Sequence, residues 1–244
     1  LLRMRAQVEA MRALAYTAAA GLDLAHRLTD ADARKAAQRR VDLLIPIVKG
    51  WSTDVGVEAA STNVQVHGGM GYIEETGAAQ HYRDARISAI YEGTNGIQAI
   101  DLVGRKLGRD GGEAMAALAA EIAATLEDLR RQDDADLAAL IEPLADGLAS
   151  LERTTTWMVG HLGQQPGEAL AGATSYLRLA GYVVGGWLMA KAALATVGRD
   201  DAFAVQKRQV ARFFAEQLIP EGIAMERPIT TGGALVAAMG PDAF

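Results

Sequence analysis

No cysteine occurs among the 244 residues, which excludes disulfides, a thiolate nucleophile and thiolate-held metal sites. The four histidines, His26, His67, His81 and His161, are scattered without partners at ligand spacing, so no metal site is expected. Positive charge is in the minority: 24 Lys and Arg against 30 Asp and Glu leave a formal net charge of −6 and a pI near 5.3. Nucleic-acid binders concentrate Lys and Arg on one face. Here the basic run Arg34, Lys35, Arg39 and Arg40 reads as a solvated helix face, and no nucleic-acid partner is expected. Long apolar runs are missing as well. The most apolar stretch, Leu179 to Ala190, is held between Arg178 and Lys191 and falls short of the about 20 residues that cross a bilayer. No signal peptide or amphipathic targeting segment is visible, and the chain reads as soluble, with the cytoplasm as its expected compartment. The opening Leu1 and the mid-helix character of the first residues suggest a piece of a longer polypeptide.

Alternating strand patterns are also lacking, whereas three-and-four spacing of apolar residues is widespread, so the expected class is all-α. Leu44, Ile47, Val48, Trp51 and Val55 mark one helix face, with Pro46 in its first turn. That helix runs toward Gly68, Gly69 and Gly71, which end it and leave bare backbone. The segment from Tyr72 to Ser88 is charged and polar. After Gly93, the spacing of Ile97, Ile100, Val103 or Gly104, and Leu107 predicts an amphipathic helix capped by Thr94 or Asn95. "GRDGG" at 108–112 breaks the pattern and divides a helical unit, residues 1–108, from a helical extension, residues 109–244.

In the extension, Met115, Leu118, Ile122, Leu126 and Leu129 form one stripe, and Leu137, Leu140, Ile141, Leu144, Leu148 and Leu151 a second. A third helical stretch surrounds Trp157 and Met158. "QQPG" at 164–167 reads as a loop, followed by a helix through Tyr176 to Thr196 that ends at Gly198. A further helix carries Phe203, Val210, Phe213 and Leu218 before Pro220, and the tail from Gly222 reads as irregular. Gly181 and Gly185, four apart, would let another helix approach closely.

Two glycine-rich turns, "QVHGGMG" and "YEGTNG", carry the chemical interest. The first follows a helical pattern and lacks the Rossmann spacing, so it is not a strand–turn–helix dinucleotide site. In the second, Glu92 precedes Gly93, Thr94, Asn95 and Gly96: a carboxylate, a backbone free of bulk and a helix start that favours anions. Such a turn can hold a base beside a phosphorylated ligand, and it can equally be a solvated cap or a surface ion pair.

Residues 65–107, "QVHGGMGYIEETGAAQHYRDARISAIYEGTNGIQAIDLVGRKL", closely resemble the C-terminal helical domain of acyl-CoA dehydrogenases. Gln65 with Gly68, Gly69 and Gly71 matches that family's Gln and Gly-Gly-x-Gly turn, Arg83 and Asp84 its Arg-Asp, and "IYEGT" the segment bearing its catalytic glutamate. The likeness reaches more loosely back to Leu1, and the long appended segment looks like the larger bacterial branch. The resemblance implies a helical bundle of that type followed by the extension, preceded in the family by a helical and a β-rich domain, so that this fragment alone would be inactive.

It further implies that Glu92 removes the α-proton of an acyl-CoA thioester while the β-hydrogen passes as hydride to flavin N5, giving a trans-2-enoyl-CoA. Charge developing on the thioester oxygen must be met where it appears, in the family by a flavin hydroxyl and by the backbone N–H of the residue here numbered Glu92. Enclosure would desolvate Glu92 and strengthen it as a base. Gly93 leaves room for the thioester. The turn of Gln65, Val66, His67, Gly68 and Gly69 would contact the adenosine and pyrophosphate of FAD held mainly by a neighbouring subunit, and Thr94, Asn95 and Gly96 would contact FAD as well. Many relatives carry glutamine where this chain has Gly96, which leaves only backbone contact there. His67 also has a plainer reading, a helix-end histidine packed beside Trp51. Arg83 and Arg86 would pair with Asp84, Glu74 or Glu75, and Tyr91 would line the acyl pocket or fill core. The implied partners are acyl-CoA, electron-transfer flavoprotein as electron acceptor, and further copies of the chain in a homo-oligomer. An acyl-CoA oxidase and a non-catalytic DNA-binding flavoprotein of the same superfamily are the alternatives, the latter opposed by the net acidity and by Glu92. The extension shows no chemistry of its own and would pack on the dehydrogenase core.

Overall fold

A computed structural model describes residues 1–243, and every regular element in it is helical. Helices α1 (Leu2–Arg27) and α2 (Ala31–Val66) fold back on one another through a short turn. The Asp30 carboxylate accepts the Ala33 N–H at 2.7 Å and starts α2. The start therefore lies well before the one expected at Pro46. Pro46 sits inside α2, buried, where a missing N–H and a ring clash cost about 3 kcal/mol in an isolated helix. Its neighbours Leu43, Leu44 and Ile47 are buried on the same helix, and that burial offsets the defect.

The chain continues through α3 (Ala78–Ser88) and α4 (Asn95–Ile100), which runs on into π-helical turns over Asp101–Leu107. Positive φ at Gly111 and Gly112 breaks the helix at the expected place. Then follow α5 (Glu113–Arg130), α6 (Ile141–Leu162), α7 (Ala173–Leu194) and α8 (Ala202–Phe213), the last prolonged by π-helical turns over Phe214–Leu218. The stretch around Trp157 is the C-terminal half of α6, not a separate helix. Pro166 opens a short helix, Pro166–Ala171, inside the expected loop, because proline suits a first helical turn. The tail expected to be irregular carries helices Ile219–Ile223, Glu226–Thr231 and Gly233–Ala238.

Helix α7 is the axis of the molecule. From Tyr176 to Ala193 nearly every side chain is buried, so the most apolar run in the sequence is a core helix, and no helix among the described residues is long and apolar enough to cross a membrane. Residues from both sides of Gly111 enter one continuous core, among them Leu14, Trp51 and Leu102 with Ile122, Tyr182 and Phe214. The stripe from Met115 to Leu129 is buried as read. In α8 the pattern misleads: Phe203 is 59% exposed, and Phe214 fills the core instead.

Several polar groups in this core are paired, although the Trp51 Nε1 is buried without a partner among the described residues. Trp187 Nε1 donates to Thr125 Oγ1 at 2.8 Å, and the Tyr176 hydroxyl lies 2.6 Å from Thr155 Oγ1. Burial pushes the Tyr176 phenol far above its ordinary pKa, so it stays neutral. Arg208 donates to the Thr196 and Arg199 carbonyls just beyond the end of α7. The basic run on α2 is not wholly solvated: Arg34 donates to the Leu28 and Thr29 carbonyls after α1, while Arg40 pairs with Glu121 and lies 5.7 Å from the Trp187 ring centre.

Candidate active site at two glycine turns on helix α2

Both turns singled out in the sequence are mounted on α2, at different heights. The first sits at its C-terminal end. His67 closes α2, and Gly68 takes a left-handed φ of 61°. Gly71 then returns so tightly that a Cβ there would fall 2.2 Å from the Val64 carbonyl oxygen. Only glycine fits that crossing. At Gly68 and Gly69 an added Cβ meets nothing within 4 Å, so this backbone is open. Gln65, Val66 and His67 are exposed. His67 is not packed beside Trp51, which lies 16 residues earlier, roughly 24 Å away along a straight helix. Its Nδ1 lies 2.9 Å from the Asn63 carbonyl oxygen, which makes Nδ1 the protonated nitrogen and leaves Nε2 outward. The segment after this turn is tied back by Arg83, which donates to Glu74 at 2.7 Å, one of the expected pairings.

The second turn joins α3 to α4. Among the described residues Glu92 is the only non-glycine with positive φ, at 51°, and Gly93 follows with 80°. A left-handed residue with a Cβ is unfavourable by about 1–2 kcal/mol, and such strain persists only where surrounding contacts impose it. Here they come from Asn95 and Lys49. Asn95 is buried, and its Nδ2 lies 2.6 Å from Asp54 Oδ1 and 3.1 Å from the Gly50 carbonyl of α2. Its backbone N–H donates to the Ala89 carbonyl at 3.1 Å, closing the turn on its far side. Lys49 Nζ donates to the Gly93 carbonyl at 2.8 Å and to Asn95 Oδ1 at 2.9 Å. Asn95 is thus an anchor whose polar groups are committed to the fold, and it presents no side chain to a cofactor. Thr94 heads α4 without a side-chain cap bond, and it is exposed together with Gly93 and Gly96.

The sequence reading missed Lys49, and its only signal is a lone lysine among the apolar residues of α2. The Glu92 side chain is exposed and makes no hydrogen bond or ion pair among the described residues, and its backbone N–H likewise has no acceptor there. Tyr91 is half exposed, as are Ile87, Ile90 and Ile97. The turns are not brought together. From Asp54, which holds Asn95, to Gly68 is 14 residues, or roughly 20 Å along α2. One compact ligand cannot touch both, whereas an extended dinucleotide or two copies of one can.

Comparison with known proteins decides the family. The description "Acyl-CoA dehydrogenase, C-terminal domain" matches residues 1–107, and "Acetyl-CoA dehydrogenase C-terminal like" matches residues 118–240. The chain belongs to the acyl-CoA dehydrogenase family. This dehydrogenase-family chain is 43% identical over 98% of its length to 3-methylmercaptopropionyl-CoA dehydrogenase from Ruegeria pomeroyi, of which it spans 41%. Caenorhabditis elegans ACDH-11, solved in complex with C11-CoA, superposes with a TM-score of 0.75 at 20% identity over 97% of this chain and 39% of that one. A Bacillus anthracis acyl-CoA dehydrogenase complexed with FAD gives 0.67 at 18% identity over 99% of this chain and 42% of its own. At such identities the two structures establish the shared all-helical fold alone.

Proposed function

We propose that this chain is the C-terminal part of an FAD-dependent acyl-CoA dehydrogenase that converts an acyl-CoA thioester to a trans-2-enoyl-CoA, with Glu92 as the base. Residues 1–108 carry the site, and residues 109–244 form an extension that buttresses α2. The observation that carries the reading is the turn at Glu92: a strained, left-handed carboxylate with no partner among the described residues, anchored through Asn95 and Lys49 to the central bundle. Strain held in place by so many contacts favours a functional over a decorative carboxylate.

The residues present fit a flavin nucleotide. Gly68, Gly69 and Gly96 offer backbone on which an added Cβ would meet nothing within 4 Å, and exposed apolar side chains adjoin both turns, Val66, Met70 and Tyr72 at the first and Ile90 at the second. The turn of Gln65 to Gly69 would hold the adenosine and pyrophosphate half of FAD belonging mainly to a neighbouring subunit, and Thr94 and Gly96 would lie against FAD through their backbones. The roughly 20 Å between the turns suits that division, and with it a homo-oligomer. FAD, when bound, supplies the acceptor for the hydride that leaves the β-carbon.

Glu92 contributes the other half of the reaction. Its carboxylate takes the α-proton, and its unpaired backbone N–H donates to the thioester carbonyl oxygen where negative charge grows. Gly93, lacking a side chain, lets the thioester approach. The remainder of the full-length protein would exclude water from a carboxylate that is exposed in this chain. Likeness to the Ruegeria pomeroyi relative supports a short acyl chain bearing a thioether as substrate. Electron-transfer flavoprotein is the proposed acceptor from the reduced enzyme, and the cytoplasm the proposed compartment.

The test uses the full-length protein with FAD bound, titrated anaerobically with acyl-CoA thioesters of graded length and with 3-methylmercaptopropionyl-CoA. The flavin absorbance bleaches with at least one of them. Failure to bleach across the panel would contradict the proposal, and rapid peroxide formation without electron-transfer flavoprotein would move it to an acyl-CoA oxidase.

A further inference from the structure

Lys49 differs from most cations of this protein. Among the described residues it has no carboxylate partner, although it is only half exposed and acidic residues outnumber basic ones in the chain. An ammonium taken partly out of water needs charge-assisted hydrogen bonds to remain there. Lys49 finds them on two neutral oxygens that belong to the Glu92 turn: the Gly93 carbonyl at 2.8 Å and Asn95 Oδ1 at 2.9 Å.

Those two acceptors flank Thr94, so a single Nζ fixes the turn on both sides. The other donor to the Gly93 carbonyl is Gln98 Nε2 of α4, longer at 3.3 Å. Asn95 Oδ1 has Thr53 Oγ1 as its second neighbour at 3.1 Å, and Asn95 Nδ2 reaches Gly50 and Asp54. Lys49, Gly50, Thr53 and Asp54 lie within two turns of α2. That stretch faces Trp51 and Gly50 into the core, where a Cβ on Gly50 would strike Leu177 of α7 at 2.8 Å. The clamp is therefore mounted on a part of α2 that cannot shift without disturbing α7. The Gly93 carbonyl belongs to the Gly93–Thr94 peptide, one unit beyond Glu92. Holding that oxygen restricts ψ at Gly93, and together with the Asn95 N–H bond to the Ala89 carbonyl it brackets Glu92 and keeps it in its left-handed conformation, which sets where the carboxylate points.

We propose that Lys49 is a positioning residue for the base: through the Gly93 carbonyl and Asn95 it orients Glu92, without itself touching substrate or flavin. The inference rests on the reading of Glu92 as the base. Loss of the clamp leaves the carboxylate present but poorly aimed, and misplacement of a reacting group by about 1 Å is enough to cost up to about 100-fold in rate.

The experiment compares Lys49→Met, Lys49→Gln and Glu92→Gln in the full-length holoenzyme. The readouts are kcat and KM with an acyl-CoA that bleaches the wild type, FAD content and Tm. For Lys49→Met, kcat falls about tenfold or more while KM and FAD content stay within about twofold of wild type. Lys49→Gln, whose amide nitrogen keeps N–H donors but no charge, falls between. Wild-type kcat in Lys49→Met overturns the inference, and so does a loss explained by FAD content or KM, which marks a structural lysine. Where Lys49→Met does not fold, Lys49→Gln decides: reduced kcat at unchanged KM and FAD supports the clamp, and wild-type kcat overturns it. An active Glu92→Gln enzyme would overturn the functional reading itself, whatever Lys49 does, so the two failures are separable.

Discussion

The indole of Trp51 occupies the space that a side chain on Gly181 would need: a Cβ at position 181 falls 2.2 Å from Trp51 Cγ. Gly185, one turn on, lies under the far edge of the same ring, with a Cβ position 2.8 Å from Trp51 Cη2. Tyr182 and Phe214 stand edge-on to the indole, at centroid distances of 5.6 and 6.5 Å. Trp51 of α2 is thereby keyed into α7, and the helix that carries both glycine turns is locked to the bundle axis. Gly181→Ala should destabilise the chain by about 1–3 kcal/mol, because overpacking outweighs the gain in helix propensity. Gly160→Ala in α6, where an added Cβ meets nothing within 4 Å, is the control and should be neutral or stabilising by up to about 1 kcal/mol. Chemical denaturation measures both, and equal stability of the two variants would refute the keying.

A second tie joins the start of the chain to its far end. Arg3 donates to both oxygens of Glu221, at 2.5 and 2.6 Å, and the Tyr182 hydroxyl adds a 3.3 Å bond. The Arg3 hydrogen bond holds the Glu221 carboxyl below the ordinary glutamate range, against the opposing effect of burial. A carboxylate whose pKa is lower folded than unfolded contributes stability that is complete above the unfolded value of about 4.3. That contribution disappears as pH falls through the lowered value. Glu221→Gln should therefore cost about 1 kcal/mol at pH 7 and flatten the fall in Tm below about pH 4.5. Identical acid limbs for variant and wild type would remove the pair from the account.

The first glycine turn separates fold from ligand. Gly71 is required by the chain itself, since its Cβ position clashes with the Val64 carbonyl, whereas Gly69 faces open space. Gly71→Ala should lower Tm in any form of the protein. Gly69→Ala should leave Tm unchanged and lower the FAD content of the full-length protein. If Gly69→Ala retains full FAD, the contact assigned to that turn is wrong.

The stripes of α5 and α6 were legible because a helix buried along one face repeats its apolar residues every three or four positions. Ile97 and Ile100 obeyed the same spacing, yet both are exposed. The buried stripe of α4 is headed by Asn95, a polar residue that periodicity assigns to a cap and that α2 satisfies with hydrogen bonds from across the molecule. The π-helical turns that follow shift the register again, so Leu102, Val103 and Leu107 point inward. Around the candidate site, the apolar side chains Ile87, Ile90, Tyr91 and Ile97 face outward, so apolar spacing there does not mark core. The proposed base, Glu92, is legible only through its motif. Its left-handed φ and its clamp from Lys49 are tertiary facts, set by residues more than forty positions apart.

The central claim is that the Glu92 carboxylate removes the α-proton, and the flavin spectrum of full-length Glu92→Gln tests it most directly. The amide has nearly the same shape and cannot serve as the base, so the variant should retain bound FAD yet show no bleaching when an acyl-CoA that reduces the wild type is added. Bleaching of the variant at the wild-type rate would contradict the account.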